Sequence, residues 1–195
     1  MSDPPVLSRG FYQRPTGEVA RELLGKLLVS TRPEGTVVLR LTEVEAYLGI
    51  DDPACHTFGG RRTARTETMW GEAGHAYVYL VYGLHSCLNV VTVGREQPEA
   101  VLLRGGVVER GLGLARTRRG GGVRPVPLSD GPGKLCQALA VTRAEDGADL
   151  CDPRSPLTIR DDGCRVGEER VRRLPRVGVG YAGEAAAWPL RLLLR

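Results

Sequence analysis

The stretch AYVYLVYGLHSCLNVVT, residues 76–92, decides the expected fold. Its first half alternates aromatic and aliphatic side chains, and its second half is rich in branched apolar ones. Both halves are therefore predicted strands of a hairpin, joined near Gly83, which can adopt a positive φ. Tyr82 and Leu84 flank this glycine, where polar residues are usual. Either another segment covers the tip, or the tip is a wedge that enters a partner such as stacked nucleic acid.

The composition suits one domain with a proper core, since 42% of the 195 residues are hydrophobic. The net charge of +4 suits an acidic partner such as nucleic acid without establishing one. Of the 27 basic residues only Lys26 and Lys134 are lysines, and Asn89 is the only asparagine. The arginine excess is typical of a GC-rich genome, so these rare residues are the more informative ones.

Cysteine usage and hydropathy exclude several classes of protein. The five cysteines include no C-x-x-C pair, which argues against a disulfide framework and a zinc knuckle. The sequence contains neither an apolar signal-peptide core nor an apolar run of membrane-spanning length. We therefore expect a cytoplasmic protein with reduced thiols.

Periodicity and turn residues predict a mixed α/β (α+β) single domain with a mainly antiparallel sheet. Residues 1–14 are expected to form an arm with little structure of its own. Helices are predicted at 16–24, 66–70, 107–116 and 130–140, and strands outside the hairpin at 26–31, 36–47, 99–104, 157–160 and 189–194. A mobile loop is expected through Gly120, Gly121 and Gly122.

Two carboxylates share one face of the strand predicted at 36–47. The period of two places Glu43, Glu45 and Tyr47 on the same side. Neighbouring carboxylates in an apolar strand are costly unless one faces water, a partner or a reaction. A solvated edge strand and a reactive site both satisfy this condition. Arg104, which ends another predicted strand, is either an edge residue or a charge delivered to such a site.

Three further features bear on phosphate binding. Lys134 lies at the start of a predicted helix, where phosphates bind readily, although the spacing of a P-loop is absent. GVGYAG at 178–183 matches G-x-G-x-x-G, but too little chain follows it for a nucleotide-binding βαβ unit. The arginines of the glycine-rich segment 105–127 either follow a phosphate backbone or reflect the composition.

Several long blocks occur in the order typical of one family. They are EVEAYLG and HTFGGRRTART, then AYVYLVYG with CLNVVT, then VLLRG, GPGKLCQAL and RVGVGYAGE. In these blocks the chain resembles the alkyladenine (3-methyladenine) DNA glycosylases of the mammalian type, which are base-excision repair enzymes. The resemblance implies a DNA glycosylase domain at 9–195, preceded by an N-terminal arm at 1–8.

The resemblance also implies a fold and a reaction. The fold is a curved antiparallel sheet with a protruding β-hairpin, similar to the C-terminal domain of a formyltransferase that acts on transfer RNA. Members flip an alkylated purine, such as 3-methyladenine or 7-methylguanine, out of duplex DNA and hydrolyse its N-glycosidic bond. Hypoxanthine and ethenoadenine remain open as substrates. The implied partner is damaged double-stranded DNA, bound by a monomer at the nucleoid, with no metal, cofactor or membrane.

The catalytic roles implied by the resemblance concern three residues. Glu45 matches the general base that activates water, and Arg104 and the backbone carbonyl of Val177 match the groups that hold this water. Cleavage between sugar and base passes through an oxocarbenium-like state, so a carboxylate beside C1′ can stabilise charge and accept a proton.

The pocket roles implied by the resemblance concern five residues. Tyr47, His56 and Tyr79 match the walls of the base pocket, where electron-rich faces would favour a cationic purine. Asn89 matches the residue at the pocket floor, where it either excludes the 2-amino group of guanine or braces the hairpin through a backbone bond. Tyr82 matches the residue that intercalates where the flipped base was.

Other positions support the resemblance less closely. Arg61, Arg62 and Lys134 are expected contacts to the DNA backbone. His85 stands where the mammalian enzymes carry a tyrosine, and the segment 105–127 is richer in glycine than the family's helix.

Two other classes of function compete with a glycosylase. A non-catalytic RNA- or DNA-binding module of the same fold would bind without releasing a base, but leaves the paired carboxylate and tyrosine unexplained. A metal hydrolase could use Glu43, Asp51, Asp52 and His56, although no recognised metal motif is present.

Overall fold

The computed structural model describes residues 3–121 and 128–195, and in these ranges eight strands form one sheet. The strands are β1 (Leu27–Arg32), β2 (Gly35–Tyr47), β3 (Ala76–Val81), β4 (His85–Gly94), β5 (Gln97–Arg110), β6 (Leu157–Arg160), β7 (Val171–Leu174) and β8 (Arg191–Leu194). They pair antiparallel in the order β3-β4-β5-β2-β1-β6, and β8 pairs with both β2 and β7. This confirms the expected mixed α/β class and antiparallel sheet. The likeness to a formyltransferase domain stays a prediction.

Short helices cover the sheet. Within the described ranges they are α1 (Arg9–Tyr12), α2 (Thr16–Leu23), α3 (Leu112–Arg118) and α4 (Pro132–Leu139), and the turn predicted at 66–70 is a 3₁₀ helix (Glu67–Trp70). α2 turns Val19, Ala20 and Leu23 into the core, where they are fully buried. None of the described helices is long and apolar enough to cross a membrane.

The N-terminal segment is more ordered than its sequence predicted. Val6 bridges to Arg160 at the end of β6, and Tyr12 at the end of α1 is fully buried. The expectation of little local structure is therefore wrong for residues 3–14, because an aromatic side chain anchors them to the core. The domain boundary between residues 8 and 9 stays a prediction.

β2 lies inside the sheet rather than at its edge. β5 pairs along one side of it, while β1 pairs with its first half and β8 with residues 43–45 on the other side. The edge-strand explanation for Glu43 and Glu45 is therefore wrong. The side chains of Glu43 and Glu45 are only 15% and 0% exposed, so both carboxylates need partners other than bulk water.

The prediction of a helix at 107–116 is wrong for the first half of this range. β5 continues through this region because Val107 and Val108 pair with β2, and branched side chains favour strands. The strand ends at Arg110, because Gly111 adopts a φ of 80°, and the helix Leu112–Arg118 follows.

The glycine loop lies partly in the described ranges. Gly120 and Gly121 adopt positive φ angles of 95° and 62°. Gly122 and the other residues of 122–127, including Arg124 of the arginine-rich segment, lie outside the described residues.

The central hairpin forms as predicted, and its tip is exposed. The amide of Leu84 donates to the carbonyl of Val81 at 3.1 Å, and Gly83 has a φ of 69°. Tyr82 has a φ of 52°, which costs a non-glycine residue about 1 kcal/mol. Tyr82 is 91% exposed and Leu84 77% exposed. In the described structure no segment covers the tip, which contradicts the first explanation of its apolar residues.

Candidate active site

A cavity of about 230 Å³ opens between β2, the central hairpin, β5 and the segment after β7. It is lined by every residue predicted to catalyse, to form the base pocket or to intercalate: Glu45, Tyr47, His56, Tyr79, Tyr82, Asn89, Arg104 and Val177. These positions span more than 130 residues of the chain, and the sheet brings them together. The geometry places them at one site, and their roles stay predictions.

Glu45 lies at the bottom of this cavity with its side chain fully buried. One carboxylate oxygen accepts the backbone N–H of Val177 at 2.8 Å, and the other accepts the hydroxyl of Tyr47 at 2.9 Å. The Nε of Arg104 lies 3.5 Å from the first oxygen. Burial raises the pKa of Glu45, and these three groups oppose the shift only in part. A carboxylate with a raised pKa is the stronger base.

Glu43, two residues earlier, has a different environment. The Nε of Arg104 donates to it at 3.0 Å, and Nη1 of Arg191 donates at 3.1 Å. Glu43 is thus neutralised by two arginines, whereas Glu45 holds only one of them at a longer distance. Of the two carboxylates, Glu45 is the one that faces the cavity.

A buried ion pair supports the wall that Tyr47 forms. The side chains of Arg176 and Asp52 are both fully buried and form a bidentate pair, with Nη2 2.8 Å from Oδ1. Asp52 also accepts the N–H groups of Leu48 and Ala54, at 3.0 and 2.9 Å. Although burial would raise the pKa of Asp52, these donors lower it below its usual value.

The ion pair joins three segments of the chain. Arg176 donates to the carbonyl of Ala46 at 3.0 Å, and its guanidinium carbon lies 4.8 Å from the centre of the Tyr47 ring. The next residue is Val177, whose N–H holds Glu45. One charged pair therefore positions the end of β2, the loop after it and the segment after β7.

His56, Tyr77 and Tyr79 form the opposite wall. The Nδ1 of His56 lies 2.9 Å from the hydroxyl of Tyr77, and its ring packs edge-on against Tyr79 with centroids 4.6 Å apart. Burial, together with the charges of Arg65 and Arg61, lowers the pKa of His56 to about 4. The imidazole is therefore neutral at pH 7 and acts as a hydrogen-bonding wall rather than as a cation.

Four residues of this site escaped the sequence analysis. Tyr77 could have been found, because the period of two places it on the same face of β3 as Tyr79. Tyr181 lines the cavity mouth, and its hydroxyl donates to the carbonyl of Ala54 at 3.2 Å. Arg65, 5.1 Å from the Tyr79 ring, and Arg176 become visible only through contacts distant in sequence.

Asn89 makes the hydrogen bond to the backbone that a role in bracing the hairpin requires. It is buried on β4, and its Nδ2 donates to the carbonyl of Tyr77 at 3.1 Å. The residue also lines the cavity. Bracing is therefore a feature of the structure, and a part in base selection stays a prediction.

The three residues predicted to contact the DNA backbone differ in the carboxylates with which they now form ion pairs. Arg62 forms ion pairs with Glu67 at 2.6 Å and Glu96 at 3.0 Å, and the ammonium of Lys134 lies 2.8 Å from Asp130. Arg61 is exposed, and no carboxylate of the described ranges lies within 4.0 Å of it. Contact with DNA stays a prediction for all three residues.

The residues proposed for a metal hydrolase do not assemble. Both oxygens of Asp52 are bound by Arg176 and backbone amides, and Glu43 is held by two arginines. Within residues 3–121 and 128–195, no three histidine, cysteine, aspartate or glutamate side chains are arranged to hold a metal ion. In the part of the chain that the structure describes, these residues therefore form no metal site.

Fold and cavity together define a mixed α/β protein with one prominent pocket: a buried carboxylate, aromatic walls and an exposed hairpin tip beside it. The sequence model of a family described as "Methylpurine-DNA glycosylase (MPG)" matches residues 10–195. The chain belongs to this family.

Relatives of similar length also carry the name of a DNA glycosylase. A protein of Methanocella arvoryzae is 48% identical over 96% of this chain and 91% of its own length, and one of Myxococcus xanthus is 48% identical over 97% and 90%. One from Bdellovibrio bacteriovorus is 42% identical over 97% and 95%. All three carry the name "Putative 3-methyladenine DNA glycosylase". Family and relatives thus connect the chain with DNA glycosylases and DNA repair.

Proposed function

We propose that the protein is a monofunctional DNA glycosylase of base-excision repair. It flips 3-methyladenine or 7-methylguanine out of duplex DNA and hydrolyses the N-glycosidic bond to leave an abasic site. Hypoxanthine and ethenoadenine are further candidate substrates. The observation that carries the proposal is Glu45, a buried carboxylate with a raised pKa at the bottom of an aromatic-walled cavity.

The chemistry assigns each group at Glu45 a task. As the bond between C1′ and the base breaks, its electron pair leaves with the base and positive charge develops on the sugar. Glu45 stabilises this charge and takes a proton from water as the water oxygen bonds to C1′. The Val177 N–H and the Tyr47 hydroxyl hold the carboxylate in one orientation. Arg104 and the carbonyl of Val177 are the proposed partners of the water.

The walls and the tip suit a flipped purine. Tyr47 and Tyr79 offer ring faces for stacking, and the neutral His56 offers a hydrogen-bonding edge. Tyr82, at the exposed tip but still lining the cavity mouth, can fill the gap that the flipped base leaves. Its stacking there offsets part of the unstacking cost of a few kcal/mol.

The remaining assignments complete the proposal. We expect a monomer at the nucleoid that uses no cofactor and approaches DNA with Arg61, Arg62 and Lys134. The ion pairs of the last two would then exchange their carboxylates for phosphates.

The experiment incubates the protein with methylated duplex DNA in EDTA and measures free bases by chromatography. Release of 3-methyladenine and 7-methylguanine, with abasic sites but no strand break, is the expected result. Tight binding of the same DNA without release would instead identify a non-catalytic nucleic-acid-binding module. Activity that chelator abolishes would contradict the metal-free chemistry.

A further inference from the structure

Both tyrosine walls of the cavity carry an arginine on their rings. The guanidinium carbon of Arg176 lies 4.8 Å from the centre of Tyr47, and that of Arg65 lies 5.1 Å from the centre of Tyr79. Both tyrosines line the cavity and neither arginine does. Each ring therefore separates a guanidinium from the space where a base would sit.

The two arginines differ in how their charge is balanced. Arg176 is buried against Asp52, so the pair carries no net charge. Arg65 is exposed, and no carboxylate in residues 3–121 or 128–195 lies within 4.0 Å of it. Nearby Arg62, by contrast, is matched by Glu67 and Glu96. Arg65 thus places an uncompensated positive charge behind one wall of the cavity.

This charge acts on groups inside the cavity. It contributes to the lowered pKa of His56, after burial, and it opposes the effect of burial on the pKa values of Tyr77, Tyr79 and Cys87. All four residues line the cavity. A base stacked on Tyr79 would therefore experience the same field.

We propose that Arg65 sets the charge preference of the pocket, disfavouring cationic alkylated purines and assisting the departure of neutral damaged ones. The inference rests on the proposed glycosylase function and names the substrate class that the site favours. It is an alternative to the expectation that electron-rich tyrosines select cationic bases, because the Tyr79 ring already interacts with a cation.

Two physical effects act in the same direction. A second cation on a ring that already carries one gains less from the π-electrons and is repelled by the first. A neutral purine that leaves with the electron pair of the N-glycosidic bond becomes negative unless it is protonated, and a nearby cation stabilises that charge. A cationic purine leaves as a neutral molecule and gains nothing from this second effect.

The test compares two duplexes of one sequence, carrying a single 7-methylguanine, which is cationic, or a single hypoxanthine, which is neutral, each opposite cytosine. In the ratio of their kcat/KM values, the effect of any protein–DNA contact that both duplexes share cancels. In Arg65→Gln we expect the ratio of 7-methylguanine to hypoxanthine to rise about 3- to 30-fold. Arg65→Lys, which keeps the charge, should stay near the wild-type ratio.

Arg95→Gln is the control, since it removes an exposed arginine that Glu72 pairs with and that does not line the cavity. Its ratio should not change. Equal loss of both activities in Arg65→Gln would make Arg65 a simple phosphate contact and overturn the inference. A rise of the ratio in Arg95→Gln as large as in Arg65→Gln would overturn it as well. A wild-type protein that releases 7-methylguanine but no hypoxanthine would also overturn it. Release of neither base would contradict the proposed function itself.

Discussion

The floor of the cavity and the tip of the hairpin differ in almost every physical respect. At the floor, Glu45 is fully buried and held by Val177 and Tyr47. At the tip, Tyr82 is 91% exposed and adopts a φ of 52°. A preorganised floor suits chemistry, because its groups need no rearrangement as charge develops. An exposed aromatic ring gains its stabilisation only when a partner covers it.

Removing the carboxylate at the floor should have the largest effect. Glu45→Gln should lower base release by about a hundred- to ten-thousandfold or more, because the variant cannot accept the proton of water. Its affinity for abasic-site DNA should stay close to that of the wild type. Single-turnover release and DNA-binding titrations measure the two quantities. If Glu43→Gln loses activity and Glu45→Gln does not, Glu43 and not Glu45 is the general base.

Thermal stability is the control that shows whether the Glu45→Gln variant is folded. Because the folded-state pKa of Glu45 is raised, its stability contribution is present below the unfolded-state pKa and is lost as the pH rises through the folded-state value. Glu45→Gln should therefore melt at a higher temperature than the wild type at pH 8, with the difference shrinking towards pH 4. A Glu45→Gln variant that is already unfolded at the assay temperature would show that the loss of activity reflects misfolding.

Breaking the ion pair that supports the Tyr47 wall should mainly reduce stability. Asp52→Asn leaves the buried Arg176 without its counter-charge, which typically costs about 3–5 kcal/mol in the free energy of unfolding. Urea denaturation measures this free energy of unfolding. Arg62→Gln, at an exposed ion pair, should change stability by about 1 kcal/mol or less. Similar losses in both variants would show that the buried pair does not hold the wall together.

At the tip, Tyr82→Ser should impair base flipping and leave stability almost unchanged. We expect about a 10- to 100-fold loss of activity on a lesion in a matched duplex, since the ring no longer offsets the unstacking cost. The loss should shrink when the lesion lies opposite a mismatch, where unpairing is already cheap. Equal losses in both duplexes would assign Tyr82 an ordinary packing role.

The smallest expected effect concerns Asn89, which is buried on β4 and lines the cavity. Asn89→Ala or Asn89→Ser should retain release of adenine lesions and raise excision of guanine-type bases, by about tenfold for normal guanine opposite a mismatch. Competition assays on both lesion types measure the ratio. If stability and all activities fall together at a constant ratio, the bond to the Tyr77 carbonyl is the whole role of Asn89.

Most of the fold could be predicted because its signals are local. The alternation in β3 and the residues around Gly83 specify the hairpin, and β6 begins and ends where its periodicity predicted. Errors arose where distant pairing overrode local preference. Val107 and Val108 joined β5 because β2 offered partners, and Tyr12 ordered the N-terminal segment by entering the core.

The sequence by itself determined the sheet-forming hairpin and, through the family's blocks, the residues that surround the cavity. Only the tertiary structure decided which of the two carboxylates is fully buried. Glu45 is held by Tyr47 and the backbone of Val177, whereas Glu43 is held by Arg104 and Arg191. The tertiary structure alone paired Arg176 with Asp52 and left Arg65 uncompensated behind Tyr79. The physical reason is that burial and electrostatic interactions depend on distance in space, whereas periodicity reports only on neighbours along the chain.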